Sequence, residues 1–323
     1  MNYKLFWIVP KDDYINPKSL ENTYNEYKTW FKIFDIDFSF ISMKHIDVKI
    51  EDDLGLYLNG NNLIDGKTAF IISPPNLNSQ GLNFSLTLKR LIKQSRNALI
   101  LNQKIADIDD MEWDKSAQHL FVHQLGVPTL PLSLLGYGCK FSHMMGDFSK
   151  NNNHPLMLKP NGSGMGFGII KSDTFQQSIS TAELISTSNL IYNITPYIEG
   201  VIDVRLFFLK KELIFIKTRS PVENGYLGNT AFGGKQVIYE KRTFNKTFFK
   251  DFRESISKEI IRNSEIIMNN SGADIISIDW LVKENQFYFN EMCTAETGLT
   301  KLPENIALKV FGNISSYIKD KLC

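Results

Sequence analysis

Two acidic residues in neighbouring apolar segments carry the clearest chemical pattern in this sequence. Asp279 lies in ISIDWLV and Glu291 lies in QFYFNEM, with a predicted turn, KEN, at 283–285 between them. Position 285 is midway between the two acids, so antiparallel pairing places their carboxylates nearly opposite each other on one face. Such carboxylates repel unless a cation lies between them, and oxygen ligands on a strand pair suit Mg²⁺ that also binds substrate phosphates. The pattern therefore predicts a magnesium site, and the alternative is an edge hairpin with both acids in water.

A glycine-rich segment supplies the second pattern. KPNGSGMGFG, at 159–168, is flanked by two predicted strands, LMLK and IIKS. Glycine permits positive φ angles and a close approach of the backbone, so that amides can point at phosphate oxygens. Lys159 at the start of the segment and Lys115 in an earlier helix can neutralise phosphate charge. We expect a lid over nucleotide phosphates; an ordinary turn with two solvated lysines is the alternative. The spacing matches neither a P-loop nor a Rossmann fingerprint.

The elements that would position these residues differ along the chain. Up to about residue 112, three short apolar strands (KLFWIV, FDIDFSFI, KTAFIIS) alternate with two helical patterns, which predicts a parallel sheet with crossover helices. A helix capped by Asp114 follows, and then strands around the glycine-rich segment. The last third contains more strands, a long helix over about 247–270, the carboxylate hairpin and a final helix. The predicted fold class is α/β, and α+β in part, with domains at 1–112, 113–190 and 191–323.

Composition narrows the class of protein. The 323 residues are 43% hydrophobic and 22% charged, typical of a globular protein, and the 36 basic and 35 acidic residues give a net charge of +1. This balance gives no sequence-wide footprint for nucleic acid or a membrane surface, and no apolar run approaches the length of a transmembrane helix. The three cysteines lie far apart, so we expect neither a disulfide framework nor a zinc ribbon, and a cytoplasmic location.

The order of the motifs resembles that of the ATP-grasp superfamily, specifically its branch with the ribosomal-protein glutamate ligase and glutathione synthetase. The resemblance covers about residues 97–300. It is carried by LNQKIADIDDMEWDKSAQHLFVHQLGVPTLP, MLKPNGSGMGFGI, ITPYIEG with DVRLF, KTRSPVENGYLGNTAFGGK, and SIDWLV followed by FYFNEMCTAETGL. It implies an ATP-grasp fold, in which an N-terminal pre-ATP-grasp domain with a parallel sheet precedes two α+β lobes that clasp ATP.

The resemblance also implies a role for each matched residue. ATP contacts are implied for two lysines, the lid, two residues whose backbone faces adenine and an acid near the ribose: Lys115, Lys159, Gly162, Ser163, Gly164, Gly166, Tyr197, Ile198 and Asp203. Contacts with the carboxylate substrate, the γ-phosphate or the acceptor are implied for Arg205, Arg219 and Asn229. Asp279 and Glu291 would ligate magnesium. Cys293 stands where the family usually has an asparagine, which leaves a second metal position open.

The activity that the resemblance implies is ATP-dependent carboxylate–amine ligation. An acyl phosphate forms, an amine displaces the phosphate, and ADP and phosphate are released, with ATP and Mg²⁺, or Mn²⁺ in its place, as cofactors. The substrates would be small-molecule or peptide carboxylates and amines, with no nucleic acid and no membrane partner; their identities stay open, as does a homo-oligomer. Three alternatives remain: a peptide-modifying macrocyclase or peptide ligase of natural-product biosynthesis, a non-catalytic ATP-binding regulatory module, and an α/β scaffold without nucleotide.

Overall fold

A computed structural model describes residues 3–9, 17–50, 55–73, 79–102, 114–135, 141–162, 166, 168–187, 190–223, 225–226, 228, 233–240, 254–295 and 297–323. Three predicted site residues, Ser163, Gly164 and Asn229, lie outside these ranges, as does the first part of the helix predicted at 247–270. Within the described residues, no helix is both long enough and apolar enough to cross a membrane.

The N-terminal part contains the predicted parallel sheet. Four strands pair in parallel in the order β2-β1-β6-β7: β1 (Tyr3–Val9), β2 (Ile36–Ser42), β6 (Thr68–Ile72) and β7 (Ala98–Ile100). Two helices cross between the strands, α1 (Pro17–Ile33) and α2 (Ser79–Gln94). A small antiparallel sheet, which the sequence did not predict, follows β2 and consists of β3 (Asp47–Lys49), β4 (Gly55–Leu58) and β5 (Asn61–Asn62).

The second of the three larger sheets is antiparallel, and two of its strands flank the glycine-rich segment. Its order is β10-β9-β11-β8, with β8 (Ser133–Leu135), β9 (Leu156–Pro160), β10 (Ile170–Ser172) and β11 (Tyr192–Pro196). Two helices that the sequence did not reveal, α4 (Phe141–Asn151) and α5 (Phe175–Ser186), cover it. The helix capped by Asp114, α3 (Lys115–Gln124), precedes this sheet. Strand β11 pairs here although it follows the predicted boundary at residue 190; the domain boundaries stay predictions.

The third sheet is antiparallel and forms the centre of the molecule. Its order is β14-β13-β12-β15-β16, with β12 (Ile202–Leu209), β13 (Glu212–Ser220), β14 (Lys235–Tyr239), β15 (Ile275–Lys283) and β16 (Gln286–Cys293). Its central strands read as continuous apolar runs because both faces are covered. Helices α3 and α6 (Glu254–Ser271) pack on one face, and α7 (Glu304–Leu322) packs on the other.

The N-terminal sheet and the third sheet share one hydrophobic core. Phe311 of α7 packs against Tyr27 and Phe31 of α1, with ring centroids 5.3 and 4.9 Å apart. The same cluster includes Leu5 of β1 and Phe207 of β12. This core fixes α1 over the face of the third sheet that carries α7.

Candidate active site

The carboxylate hairpin has the predicted register and one irregularity. Asp279 lies opposite Glu291, but Trp280 pairs with Phe289, so a β-bulge leaves Asn290 without a cross-strand partner. Regular alternation along a strand would place Asn290 and Glu291 on opposite faces of β16. The bulge overrides this alternation, and both side chains line the same pocket.

That pocket lies between the second and third sheets. It brings together most of the predicted nucleotide contacts: Lys115, Lys159, Gly166, Tyr197, Ile198, Asp203, Arg219 and Glu291. Arg205 and Asp279 are not part of its lining. They are buried and contact two residues that do line it, Arg219 and Glu291.

Lys159 reaches from β9 toward the bulge. Its Nζ donates a hydrogen bond to Oδ1 of Asn290, 2.9 Å away. Burial lowers the pKa of Lys159 to about 8, although the nearby Glu291 carboxylate partly opposes this shift. A second lysine, Lys115, places its Nζ 3.7 Å from Oε2 of Glu291. Two cations therefore face an amide oxygen and a carboxylate across the pocket.

A polar network fixes the start of α3, and with it Lys115. Oδ1 of Asp114 caps the helix by accepting from the backbone N–H of Ala117 at 2.9 Å, and it also accepts from the side chains of Ser116 and Asn161. Burial alone would raise the pKa of Asp114, but these hydrogen bonds lower it. Oδ1 of Asn161 accepts from the backbone N–H of Ser116 at 3.0 Å, which ties the helix to the end of β9. The cap thus positions Lys115 beside Lys159.

Two arginines and two aspartates form a network on the third sheet. Arg205 donates to both oxygens of Asp279, at 2.6 and 2.7 Å. Arg219 donates to both oxygens of Asp203 at 2.8 Å and to Oδ2 of Asp279 at 2.5 Å. Burial would raise the pKa of Asp279, but Arg205 and Arg219 lower it. Burial raises the pKa of Asp203 to about 6 despite the opposing effect of Arg219.

This network affects how the predicted metal ligands fit a cation. Glu291 and Asn290 supply oxygen donors on the pocket wall, which suits Mg²⁺ carried by nucleotide phosphates. Asp279 already accepts from two guanidinium groups, so a cation reaches it only if an arginine shifts. The described residues contain no group of three or more His, Cys, Asp or Glu side chains that could hold a metal ion. The ligand roles of Asp279 and Glu291 stay predictions.

Two side chains on α3, which the sequence did not single out as site residues, hold β16 in place. The Gln118 amide donates to the carbonyl of Met292 and accepts from its N–H, both at 3.0 Å, and so mimics a neighbouring strand. His119 Nε2 lies 3.1 Å from the Asn290 carbonyl, and burial lowers the His119 pKa to about 4. Neutral His119 therefore donates this bond through Nε2. In the sequence, Gln118 and His119 are only two adjacent polar residues on a predicted helix, and nothing there indicates that they bind the backbone of β16.

The N-terminal parallel sheet, the two larger antiparallel sheets and the pocket between these two define an ATP-grasp fold. Comparisons with solved structures agree. D-alanyl-alanine synthetase A from Vibrio cholerae O1 biovar eltor str. N16961 superposes with a TM-score of 0.71 at 12% identity, over 99% of this chain and 98% of that one. An ATP-grasp RimK domain protein from Sphaerobacter thermophilus DSM 20745 gives a TM-score of 0.60 at 10% identity, over 97% and 98% of the two chains. The fold expected from the sequence is confirmed.

A comparison of sequences also finds a relative, at low identity. The chain is 24% identical over 217 residues to a D-alanine–D-alanine ligase of Helicobacter pylori (strain HPAG1). The match spans 65% of this chain and 57% of the ligase. No family model matches the chain. The particular branch of the superfamily therefore stays a prediction.

Proposed function

We propose that this chain is a cytoplasmic ATP-dependent carboxylate–amine ligase that uses Mg²⁺ or Mn²⁺. One observation carries the proposal: Lys115 and Lys159 face Asn290 and Glu291 across one pocket. One cation from a strand of the second sheet and one from the start of α3 face oxygen donors of the third sheet across a cleft, which suits a bound polyphosphate with its metal. The relationship to a D-alanine–D-alanine ligase supports the same reaction class.

ATP would lie between the two sheets. The backbone of Tyr197 and Ile198, between β11 and β12, would contact adenine, and Asp203 would lie near the ribose. Lys159 and Lys115 would bind the phosphates. The glycine-rich segment 162–168, with Asn229 on the acceptor side, would complete the site.

In this reaction the protein mainly positions the substrates and neutralises charge. A substrate carboxylate attacks the γ-phosphorus to give an acyl phosphate and ADP, and the amine then displaces phosphate through a tetrahedral intermediate. The two lysines and Arg219 would stabilise negative charge that develops on the transferred group. Bound Mg²⁺ would neutralise phosphate oxygens and orient the triphosphate. Closure of the glycine-rich segment would exclude water from the acyl phosphate.

An ADP-release screen over amino acids, dipeptides and longer peptides, with mass spectrometry of the products, tests the proposal. We expect ADP formation that depends on both a carboxylate and an amine. Lys159→Ala should lower it by about 100-fold, because this change removes a buried charge from the phosphate site. Lys210→Ala is the matched control, since the Lys210 ammonium lies at the surface, where it contacts Asp320 and the Tyr317 ring, and does not line the pocket.

The outcomes separate the competing functions. A cyclised or peptide-linked product made only from long peptides would favour the macrocyclase alternative. ATP binding without turnover over the whole panel would identify a regulatory module and contradict the ligase proposal. Full activity of Lys159→Ala would show that the pocket is not the phosphate site.

A further inference from the structure

A buried lysine on the third sheet has no role in the site described so far. Lys217 of β13 is 5% exposed and lies next to Arg205 of β12 in register. Arg205 is in register with Asp279, and Asp279 with Glu291. One row of four charged residues therefore crosses four strands and ends at Lys217.

The charges in this region do not balance. Arg205 and Arg219 are matched by two carboxylates, Asp203 and Asp279, through the short hydrogen bonds given above. Among the described residues, no carboxylate forms an ion pair with Lys217. Its Nζ donates to a neutral acceptor, the carbonyl of Gly298, at 2.8 Å. A third carboxylate, Glu291, lies 3.9 Å from Arg205 but also 3.7 Å from Lys115. Lys217 is therefore the buried cation of this row that no described carboxylate pairs with, and an unmatched buried charge is unfavourable.

The pKa of Lys217 reflects this imbalance. Burial lowers it to about 7 with a further contribution from Arg205 and Arg219, and the opposing effects of Asp279 and Glu26 only partly compensate. An anion placed beside Lys217 would relieve the repulsion and stabilise the ammonium form.

Two neutral backbone carbonyls accept hydrogen bonds from Arg205 and Lys217. The carbonyl of Thr297 accepts from Nη1 of Arg205 at 3.4 Å, and the next carbonyl, Gly298, accepts from Lys217. Gly298 has a φ of +75°, and a Cβ there would lie 2.8 Å from Nη1 of Arg205. A side chain at position 298 would therefore have to displace the Arg205 guanidinium and adopt a strained φ.

We propose that Lys217 binds a non-reacting carboxylate of one of the two substrates. The inference rests on the proposed ligase function and deepens it. The reacting carboxylate must meet the γ-phosphate in the pocket lined by Arg219 and Glu291. Lys217 lies two residues from Arg219 on the same strand, about 7 Å away, and does not line that pocket. Such a spacing matches a molecule with two functional groups, such as an amino acid or a peptide with a free α-carboxylate.

Pairs of acids and carboxamides test the proposal. For each productive donor and acceptor, kcat/KM is measured with the free carboxylate and with the corresponding carboxamide at the non-reacting position. For one of the two substrates, we expect the wild-type kcat/KM to be at least about 10-fold higher with the acid than with the carboxamide. A difference of this size corresponds to the loss of one buried charge-assisted hydrogen bond. The substrate that shows the preference identifies the molecule bound by Lys217.

Lys217→Met, which keeps an unbranched side chain of nearly the same length without the charge, should remove that preference. Its rate with the carboxamide should fall much less than its rate with the acid, because only the acid offers a charge to Lys217, whereas loss of the hydrogen bond to Gly298 affects both substrates equally. Lys309→Met is the control, since Lys309 pairs with Glu212 at the surface. Equal use of acid and carboxamide by the wild type, or an unchanged preference in Lys217→Met, would overturn the inference and leave the ligase function intact. The wild-type comparison decides even if the variant fails to fold. Absence of ADP formation with every pair would overturn both.

Discussion

Asn102, just beyond β7, offers a sharp test of how the N-terminal sheet is joined to the site. Its side-chain amide is buried and fully bonded. Nδ2 donates to the carbonyls of Ile275 and Thr294 at 2.7 and 2.8 Å, and Oδ1 accepts from the backbone N–H groups of Asp274 and Ile275 at 2.9 and 2.8 Å. One side chain thus holds the start of β15 and the segment after β16, the two ends of the carboxylate hairpin.

We expect Asn102→Ala to lower the free energy of unfolding by about 3–4 kcal/mol. Each of the four hydrogen bonds contributes roughly 1 kcal/mol, and their backbone partners would be left buried and unsatisfied. Asn102 also has a φ of +64°, which alanine tolerates less well than asparagine. Asn102→Gly separates the two effects, because glycine accepts this φ but makes no side-chain bond.

Denaturant unfolding and amide hydrogen exchange measure the effect. We expect Asn102→Gly to lower the free energy of unfolding nearly as much as Asn102→Ala does. The amides of Asp274 and Ile275 should exchange faster in both variants. Asn97→Ala, in the exposed turn just before β7, should leave the free energy of unfolding and the exchange of these amides unchanged. A loss below about 1 kcal/mol with unchanged exchange at these two amides would refute the assignment of Asn102 as the connection.

The remaining predictions concern α3 and the segment at Gly298. Because the pKa of His119 falls from 6.5 to about 4 on folding, the unfolded chain binds a proton between these values and the folded chain does not. Stability should therefore fall by about 2 kcal/mol from pH 7 to pH 5, and His119→Gln should remove this part of the slope in denaturant unfolding. Gly298→Ala should displace Arg205 and reduce ADP release at least about 10-fold. Gly200→Ala is the control: Gly200 has a similar positive φ but open space around it, so this variant should lose only about 1 kcal/mol of stability and keep its ADP release. Gln118→Ala should raise amide exchange at Met292, and protection equal to wild type would show that the helix does not hold β16.

The sequence predicts much of the fold because the decisive signals are local. Short apolar segments between turn residues define the strands of the first and third sheets, and the midpoint between Asp279 and Glu291 gives the hairpin register. Helix α4 escapes prediction because its segment, FSHMMGDFSKN, has weak helix formers and a glycine. The β3–β5 sheet escapes because its strands have only two to four residues.

The candidate site is predicted less completely, because its geometry depends on tertiary contacts. The motifs identify Lys159 and Glu291 as residues that share a pocket. They do not indicate that Asp279 is bound by two arginines, since those contacts join three strands. They also do not single out Lys217, whose neighbours come from β12 and from the segment after β16. A lysine in a strand has no local feature that marks a buried, unmatched charge.

The bulge at Asn290 can compensate for Cys293, which stands where the family usually has an asparagine. Burial, reinforced by the Glu291 carboxylate, raises the pKa of Cys293, so its thiol stays protonated and is a poor partner for a hard cation. Without the bulge, Glu291 would be the only oxygen donor that β16 turns toward the pocket. The extra residue turns the amide of Asn290 to the same side, where Lys159 now holds it. A ligase of this kind could therefore lose the usual asparagine and still present a carboxylate and an amide oxygen to the triphosphate, provided that Lys159 moves to the phosphates when ATP binds.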